Sequence, residues 1–225
     1  MEYFYNKPFI ALIGDIKKSK VLKNRNEIQE QLRSVLEDIN KKYNKDITAK
    51  FLITLGDEFQ GLLREGKNLL KIIEEIKMKL YPVELRFGIG VGNITTDIDS
   101  ERALGADGPG YYCARDAIIL LKAKENKRKT AVADIYIKKE GGNGETVELI
   151  NTVFELMYAM EKSWTDRQRE IIWDMLTHQD GQLNTANRLA IRQSTVYKAL
   201  SACNYYVYKN ALEKMEIALG EIQND

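Results

Sequence analysis

Apolar and polar residues alternate along two stretches of the chain that flank a Gly56–Asp57 pair. In each stretch the apolar set shares one face: Phe51, Ile53 and Leu55 before the pair, and Phe59, Gly61 and Leu63 after it. Glycine tolerates a positive φ and aspartate bonds its own backbone, so such pairs are frequent at tight corners. The pattern predicts a hairpin over residues 48–64 that carries two adjacent carboxylates, Asp57 and Glu58, at its turn.

Two further stretches have the 3.6-residue periodicity of amphipathic helices. The first covers about residues 25–42, and the second ends before Pro82, which cannot continue a helix. Their apolar stripes consist of Ile28, Leu32, Val35, Leu36 and Ile39 in the first helix, and of Leu69, Leu70, Ile72, Ile73, Ile76 and Leu80 in the second.

Two further predicted strands complete the order of elements in the first half of the chain. Phe9–Ile13 is a continuous apolar run typical of a buried strand, and residues 83–92 alternate strictly. Three glycines share one face of the latter strand, which leaves room for the close approach of a helix or of a nucleotide. We therefore predict an α+β fold with a ferredoxin-like βαββαβ antiparallel sheet that carries helices on one face. A helix over about residues 111–124 and a strand over 131–137 follow.

The turn-rich segment Lys138–Gly144 is the clearest compositional boundary in the chain. We predict an α+β domain over residues 1–140, a connecting helix over 141–163 and an all-α domain over 164–225. Thr165 is the expected N-cap of the first helix in the all-α domain.

Composition narrows the class of protein without naming a partner. The chain has 225 residues, 44% hydrophobic and 30% charged, with a formal net charge of +1, as expected for a soluble globular protein. Its two cysteines, Cys113 and Cys203, and its single histidine, His178, exclude a zinc-finger ligand set and argue against a disulfide framework. No apolar run reaches about 18 residues and no signal-peptide pattern is present, so we expect a cytoplasmic protein without a membrane span.

Asp15 follows the first strand and is expected beside the hairpin that carries Asp57 and Glu58. Carboxylates at the end of a central strand and at a neighbouring turn supply the oxygen ligands that Mg²⁺ uses together with water and phosphate. Two such metals would serve phosphoryl or nucleotidyl transfer. The alternative is that Asp15 only caps the next helix and that Asp57 only forms the turn.

Three lysines, Lys17, Lys18 and Lys20, follow the proposed metal strand. At that position they are placed to meet the phosphate of a bound nucleotide. A solvated loop is the alternative, because runs of charge usually face water.

Three short motifs resemble the nucleotidyl cyclases in their order and rough spacing. They are Ile-Gly-Asp-Ile at 13–16, Thr-Leu-Gly-Asp-Glu-Phe at 54–59 and Leu-Arg-Phe-Gly-Ile-Gly-Val-Gly at 85–92. The likeness is to class III adenylate and guanylate cyclases and, through Gly-Asp-Glu-Phe, to diguanylate cyclases. It implies Mg²⁺ or Mn²⁺ bound against a nucleoside triphosphate or a cyclic nucleotide, in a homodimer. The metal ligands that it implies are Asp15, the backbone carbonyl of Ile16, Asp57 and, as an addition, Glu58.

The same resemblance implies a transition-state pair, an Asn and an Arg four residues apart on a helix. The Arg position falls on Arg115, which is therefore the candidate catalytic side chain, whereas the Asn position falls on Tyr111. A tyrosine cannot reproduce the carboxamide contacts to the ribose, and Leu55 replaces the first Gly of the diguanylate cyclase signature. These departures weigh against cyclisation and leave nucleotide and metal binding as the expectation.

Residues 186–200 resemble the helix-turn-helix of bacterial regulators, in which a Leu-x-Ile turn precedes Ser-Thr-Val at the start of the recognition helix. The resemblance implies that Ser194 caps that helix and that Val196 and Leu200 pack inward. The side chains expected to contact DNA are Arg188, Arg192, Ser194, Thr195, Tyr197 and Lys198. Residues 181–212 contain four basic side chains and no acid, which suits phosphate contacts. The alternative is a three-helix structural or protein-binding module.

Taken as a whole, the chain is similar to the SatD family of bacterial proteins. We predict a bacterial regulatory protein in which a cyclase-like domain binds a nucleotide with Mg²⁺ and thereby changes how a helix-turn-helix domain engages DNA. Two alternatives remain open. One is an active nucleotidyl cyclase or nucleotide-processing enzyme with a C-terminal dimerisation module, and the other is a degenerate cyclase fold that serves only as a dimerising scaffold.

Overall fold

The structure, a computed structural model, describes residues 8–19, 22, 24–128 and 133–223. Its first part contains β1 (Phe9–Ile16), α1 (Arg25–Lys42), β2 (Ile47–Leu55), β3 (Glu58–Leu63), α2 (Leu69–Leu80), β4 (Leu85–Gly92), α3 (Pro109–Arg128) and β5 (Ile135–Lys139). The helices that follow are α4 (Glu145–Lys162), α5 (Asp166–His178), α6 (Gln182–Arg188), α7 (Gln193–Ala202) and α8 (Tyr205–Glu221). No described helix combines the length and the apolar content that crossing a bilayer requires.

The strands that the structure describes form one sheet, in the order β2-β3-β1-β4-β5. β1 runs antiparallel to both β3 and β4, and β2 pairs antiparallel with β3. The first four strands therefore have the ferredoxin-like order, and the predicted α+β class is confirmed. β5 extends the sheet parallel to β4 after the crossover helix α3. It begins at Ile135, later than predicted, and residues 131 and 132 lie outside the described part of the chain.

The two faces of the sheet pack against different helices, because successive side chains of a strand point to opposite sides. On one face, Leu12 and Phe87 belong to the core that α1 and α2 cover. On the other face, Ile13 packs in a second cluster with Ile118 of α3. The side chains of Asp15 and Arg86 lie on this second face, so the position of α3 decides what surrounds them.

β4 presents its glycines to α3. A Cβ at Gly88 would lie 2.2 Å from the carbonyl oxygen of Ala114, and one at Gly90 would lie 1.9 Å from that of Gly110. A side chain at either position would push the helix away from the sheet. The sequence allowed either a helix or a nucleotide to approach this glycine face, and in the structure the helix α3 lies there.

Both edge strands are bonded by asparagine side chains from neighbouring helices. Asn40 of α1 accepts from the N–H of Phe51 on β2 at 2.8 Å and donates to its carbonyl at 2.9 Å. Asn151 of α4 does the same at Ile137 on β5, at 2.8 and 3.0 Å. The loop at residues 100–103 adds backbone bonds to β2. Some of the outward backbone groups on each edge are thus satisfied without another strand.

The C-terminal helices pack back onto the α+β part. α4 covers β5, and α8 contacts both α2 and α4. A Cβ at Gly66, just before α2, would lie 2.0 Å from the carbonyl oxygen of Leu219 in α8. One hydrophobic cluster extends from Ile10 in β1 to Ile222 after α8. The division of the chain at residues 140 and 164 remains a prediction, and the core extends across both positions.

Two helix starts test the predicted caps. Thr165 precedes α5 and forms a capping box with Gln168, whose side chain accepts from the Thr165 N–H at 2.8 Å, so this prediction is confirmed. The prediction for α7 is wrong. Its N-cap is Arg192, without a side-chain bond, and Ser194 lies in the first turn of the helix.

Candidate functional site

The strand end that carries the cyclase-like motif holds a group of charged side chains, the Asp15 cluster: Asp15, Arg86, Lys122 and Glu125. The β1–β4 register places Asp15 opposite Arg86. Arg86 donates to Asp15 at 2.8 Å and to Glu125 at 2.6 Å, and Lys122 donates to the other oxygen of Asp15 at 2.7 Å. Asp15 is 4% exposed. Both oxygens of its carboxylate therefore already have a cationic partner.

The hairpin turn contacts the end of β1, as the sequence predicts. The N–H of Ile16 donates to the backbone carbonyl of Asp57 at 3.0 Å, and Glu58 lies opposite Asp15 in the β1–β3 register. The carboxylate of Asp57 accepts a hydrogen bond from the hydroxyl of Ser19. Strand and turn are thus neighbours, while the carboxylates of Asp15 and Asp57 are bonded to different groups.

These donors do not form an assembled metal site. Among the described residues, no group of three or more His, Cys, Asp or Glu side chains is placed to hold a metal ion. A cation at Asp15 would have to displace Lys122 or Arg86, whose positive charges oppose it. The ligand set that the resemblance implies, Asp15, Ile16, Asp57 and Glu58, therefore does not fit Mg²⁺ or Mn²⁺ as the chain is folded here.

The lysines that follow β1 lie in different surroundings. Lys17 is 4% exposed, and its ammonium donates to the hydroxyl of Tyr158 at 3.2 Å and lies 4.9 Å from the centre of that ring. Burial lowers the pKa of Lys17. Lys18 is exposed, and Lys20 lies outside the described residues. Lys17 and Lys18 thus do not share one phosphate-binding surface.

Tyr111 and Arg115 both lie on α3, as predicted, but they differ in exposure. Tyr111 is 2% exposed, its hydroxyl has no hydrogen-bond partner among the described residues, and burial raises its pKa. Arg115 is exposed. The side chains of α3 that reach Asp15 and Arg86 are Lys122 and Glu125, about two turns further along the helix.

A second buried group, the Lys77 cluster, connects the α+β part to the C-terminal helices: Lys77 and Glu74 of α2, Asp134 before β5, and Glu161 of α4. The Lys77 ammonium lies 2.9 Å from Asp134, 2.8 Å from Glu161 and 3.2 Å from Glu74. Tyr208 of α8 donates its hydroxyl to Glu161 at 2.7 Å. Burial raises the pKa of Glu74 to about 7. Burial also works against the charge of Lys77, yet the three carboxylates raise its pKa above the ordinary value.

A cavity of about 270 Å³ lies where the end of β1 and the α2–β4 turn meet α4 and α5. Its lining includes Lys17 and three aromatic side chains, Tyr81, Trp164 and Trp173. The guanidinium of Arg169 lies 5.4 Å from the centre of each of these three rings. Our sequence analysis did not single out this site. The available signal was the close spacing of the aromatic and cationic residues along α5, with Arg169 and Trp173 one turn apart.

The α7 helix has the exposure that the helix-turn-helix resemblance implies. Thr195, Tyr197 and Lys198 are exposed, as are Arg192 and Ser194. The buried positions are Val196 and Leu200, as predicted. Residues 189–192 join α6 to α7, a length typical of the turn in this motif.

Arg188 differs from the prediction. Its guanidinium bonds Asp174 of α5 at 2.7 and 2.9 Å, and Asp180 at 2.5 and 2.8 Å. The hydrogen bonds that Arg188 donates to these carboxylates raise its pKa. This side chain therefore ties α6 to α5. The absence of acids from residues 181–212 did not predict this contact, because Asp174 and Asp180 both precede that segment.

Fold and site together define a ferredoxin-like α+β protein with a packed helical unit at its C-terminal side. The chain belongs to the SatD family, whose sequence profile matches residues 9–217. No curated protein sequence matches the chain at a significant level.

Solved structures of two cyclases and of one regulator are among those similar to this chain. The guanylyl cyclase Cya2 is 16% identical, with 59% of this chain and 75% of that chain covered and a TM-score of 0.35. A bacterial light-regulated adenylyl cyclase is 13% identical over 59% of this chain and 43% of that chain, with a TM-score of 0.39. A regulator of polyketide synthase expression from Bifidobacterium adolescentis is 12% identical, with 97% and 87% covered and a TM-score of 0.28. None of these likenesses transfers an activity to this chain.

Proposed function

We propose that this protein is a DNA-binding regulator whose α+β domain binds a nucleotide without cyclising it. The observation that carries the proposal is the α7 helix, which exposes Thr195 and Lys198 while Val196 anchors it in the core. A recognition helix needs this combination of a buried side and a free polar side to reach base edges in the major groove.

The exposed cations Arg192 and Lys198 are available for DNA phosphates. Arg188 acts indirectly, since its bonds to Asp174 and Asp180 orient α6 against α5. Each phosphate that a protein neutralises contributes about −0.9 to the slope of log K against log salt concentration. Because only two exposed cations are proposed to contact phosphates, we expect the affinity for DNA to fall only modestly with salt for each protomer.

The nucleotide part of the proposal is supported by the cyclase-like motifs at 13–16 and 54–59. The expected ligand is a nucleoside triphosphate or a cyclic nucleotide. We do not include cyclisation for two reasons. Arg86 and Lys122 neutralise Asp15, and Tyr111 stands where the cyclases have their transition-state Asn. A divalent metal would neutralise phosphate charge when bound, but its donors are not assembled, so no step is assigned to it.

The Lys77 cluster supports coupling between the two parts of the chain. Its ion pairs connect α2 to α4, and Tyr208 brings α8 into the same network. Because separating buried ion pairs is costly, α4 and α8 are expected to move together with the α+β part. A ligand that shifts this part would thus reposition the helices proposed to contact DNA.

An electrophoretic mobility shift with a random pool of double-stranded DNA at low salt tests the DNA half of the proposal. We expect a retarded complex whose affinity falls as salt rises. Arg192→Ala should reduce the magnitude of the salt slope by about 0.9 for each protomer bound, because one phosphate contact is lost.

Lys41→Ala is the matched control, since it removes an exposed cation from α1 and should leave the slope unchanged. Arg188→Ala is unsuitable because it leaves Asp174 without its partner. Absence of a retarded complex at low salt would contradict DNA binding. An unchanged slope in Arg192→Ala would remove the start of α7 from the interface.

Nucleoside triphosphates and Mg²⁺ separate the proposal from the enzyme alternative. We expect calorimetry to detect binding of a triphosphate or a cyclic nucleotide, and chromatography to detect no product. Turnover that Asp15→Ala abolishes would instead identify a nucleotidyl cyclase or a nucleotide-processing enzyme, with the C-terminal helices as a dimerisation module. Sedimentation of the same preparation tests the homodimer that the resemblance implies.

A further inference from the structure

The cavity between the α+β part and α5 brings charged and aromatic side chains together. Tyr81 and Pro82 come from the turn after α2, Trp173 comes from α5, and the Tyr81 and Trp173 rings meet edge to face with centres 5.2 Å apart. Lys17 enters from the end of β1. A ligand in this cavity would contact both parts of the chain at once.

Most charges around the cavity have an opposite partner. Lys77 lies within 2.9 Å of Asp134 and Glu161, and Lys162 lies 2.7 Å from Glu84. A further cation, the guanidinium of Arg169, bonds a backbone carbonyl and is surrounded by aromatic rings. The short ion pairs of the lining carboxylates are thus with Lys77 and Lys162, and Glu161 also lies 4.0 Å from Arg169.

Lys17 lacks such a partner. Its ammonium has one hydrogen-bond partner, the Tyr158 hydroxyl, and forms no ion pair with a described carboxylate. An ammonium carries three N–H donors, so two remain for another group. Burying a charge is costly, and burial lowers the pKa of Lys17, although the charges of Asp134, Glu84 and Glu125 act in the opposite direction. An anion beside this ammonium would remove that cost.

We propose that this cavity binds a small aromatic carboxylate, whose oxygens accept from the Lys17 ammonium and whose ring packs against Tyr81 and Trp173. A volume of about 270 Å³ corresponds to about nine water molecules at ~30 Å³ each, which suits one ring with one carboxylate. The proposal rests on the lining of this cavity alone and does not depend on the nucleotide binding of the proposed function.

Tryptophan fluorescence provides a selective test, because the two tryptophans of the chain, Trp164 and Trp173, both line this cavity. Benzoate is the probe, acetate tests the carboxylate without a ring, and ionic strength is held constant with sodium chloride. We expect a saturable change with benzoate and at least tenfold weaker binding of acetate.

Lys17→Met keeps the length of the side chain and removes its charge, so it should weaken benzoate binding at least tenfold. Lys41→Met, on the exposed side of α1, is the control and should bind as the unmodified protein does. Equal binding by Lys17→Met, equal binding of acetate and benzoate, or no saturable change would each overturn the proposal.

Indole N–H resonances of the unmodified, ¹⁵N-labelled protein supply a second measurement that needs no variant. We expect both tryptophan signals to shift on addition of benzoate and not on addition of sodium chloride at the same concentration. If Lys17→Met fails to fold, as judged by circular dichroism, this titration decides the matter. Indole signals that do not respond to benzoate would overturn the assignment of the site.

Discussion

The Asp15 cluster and the Lys77 cluster are built from the same kinds of side chain, but the charge at the centre of each has the opposite sign. In the first, one carboxylate lies between two cations, and in the second, one cation lies among three carboxylates. The difference that matters is burial. The side chain of Lys122 is 43% exposed, whereas that of Lys77 is 11% exposed.

Exposure decides what each cluster can do. An ion pair that reaches solvent gains little free energy, so its members can exchange for a ligand at small cost. Removing one member of a fully buried pair lowers the stability of the protein by about 3–5 kcal/mol, because the other member is left as an unpaired buried charge. We infer that the Lys77 cluster holds the two parts of the chain together, and that Lys122 is the exchangeable member of the Asp15 cluster.

The largest expected effect tests the structural role of the Lys77 cluster. Lys77→Met leaves Glu74, Asp134 and Glu161 buried without their cation, so the free energy of unfolding should fall by about 3–5 kcal/mol. Urea denaturation at about pH 8 measures this change. Lys71→Met is the matched control on the same helix, because the Lys71 side chain is 52% exposed and its ammonium lies 3.4 Å from Glu216, and it should cost less than about 1 kcal/mol.

An equal loss of stability in the two lysine variants would contradict the distinction between buried and exposed pairs. A loss confined to Lys77→Met would sharpen it. The slope of the urea transition should stay the same in both variants if each still unfolds in one step.

The pH dependence of stability tests the carboxylate side of the same cluster. In the folded protein Glu74 takes up a proton below about pH 7, whereas in the unfolded chain it does so near its ordinary pKa of 4.5. Its contribution to the free energy of unfolding is therefore fully present below pH 4.5 and is lost as pH rises to about 7. The contribution amounts to about 3 kcal/mol.

Glu74→Gln removes this titration and keeps the shape of the side chain. The difference in unfolding free energy between the unmodified protein and Glu74→Gln should fall as pH rises from about 5 to about 7, and should be constant above that. A difference that does not vary with pH would show that Glu74 is not a buried acid with a raised pKa.

The smallest effects come from the Asp15 cluster. Asp15→Asn removes the charge shared by Arg86 and Lys122, but Arg86 keeps Glu125, so we expect a loss of about 2 kcal/mol. Lys122→Met should cost less than about 1 kcal/mol, since its ammonium reaches solvent. Urea denaturation of both variants measures the two losses in unfolding free energy and shows which is larger. If Lys122→Met proves as costly as Asp15→Asn, Lys122 is not an exchangeable member.

Local patterns predicted the elements of this fold well, because periodicity records which side of an element is buried. The alternation over 83–92 led to β4, and the apolar stripes led to α1 and α2 at nearly their observed bounds. The glycine face of β4 predicted a close approach, and α3 supplies it. Each of these inferences needed only residues that are near one another in sequence.

Side-chain partners at the candidate site could not be predicted in this way. Arg86 bonds residues 71 positions earlier and 39 positions later, and these contacts depend on strand register and on the placement of α3. Lys17 follows a motif that suggests phosphate, yet the chain turns its side chain toward Tyr158 on α4. Arg188 lay in an acid-free run, and only the packing of α6 on α5 brings it to Asp174. Charge patterns along the chain do not reveal such pairings.

The asparagines at the two borders of the sheet have a consequence for self-association. Asn40 and Asn151 each occupy the N–H and the C=O of one edge-strand residue, which a second chain would use to add a strand. Fibril growth and strand exchange both begin with such additions, and both would first have to break these bonds. Copies of this protein are therefore expected to associate through helices, and crowding should not convert the sheet into a template.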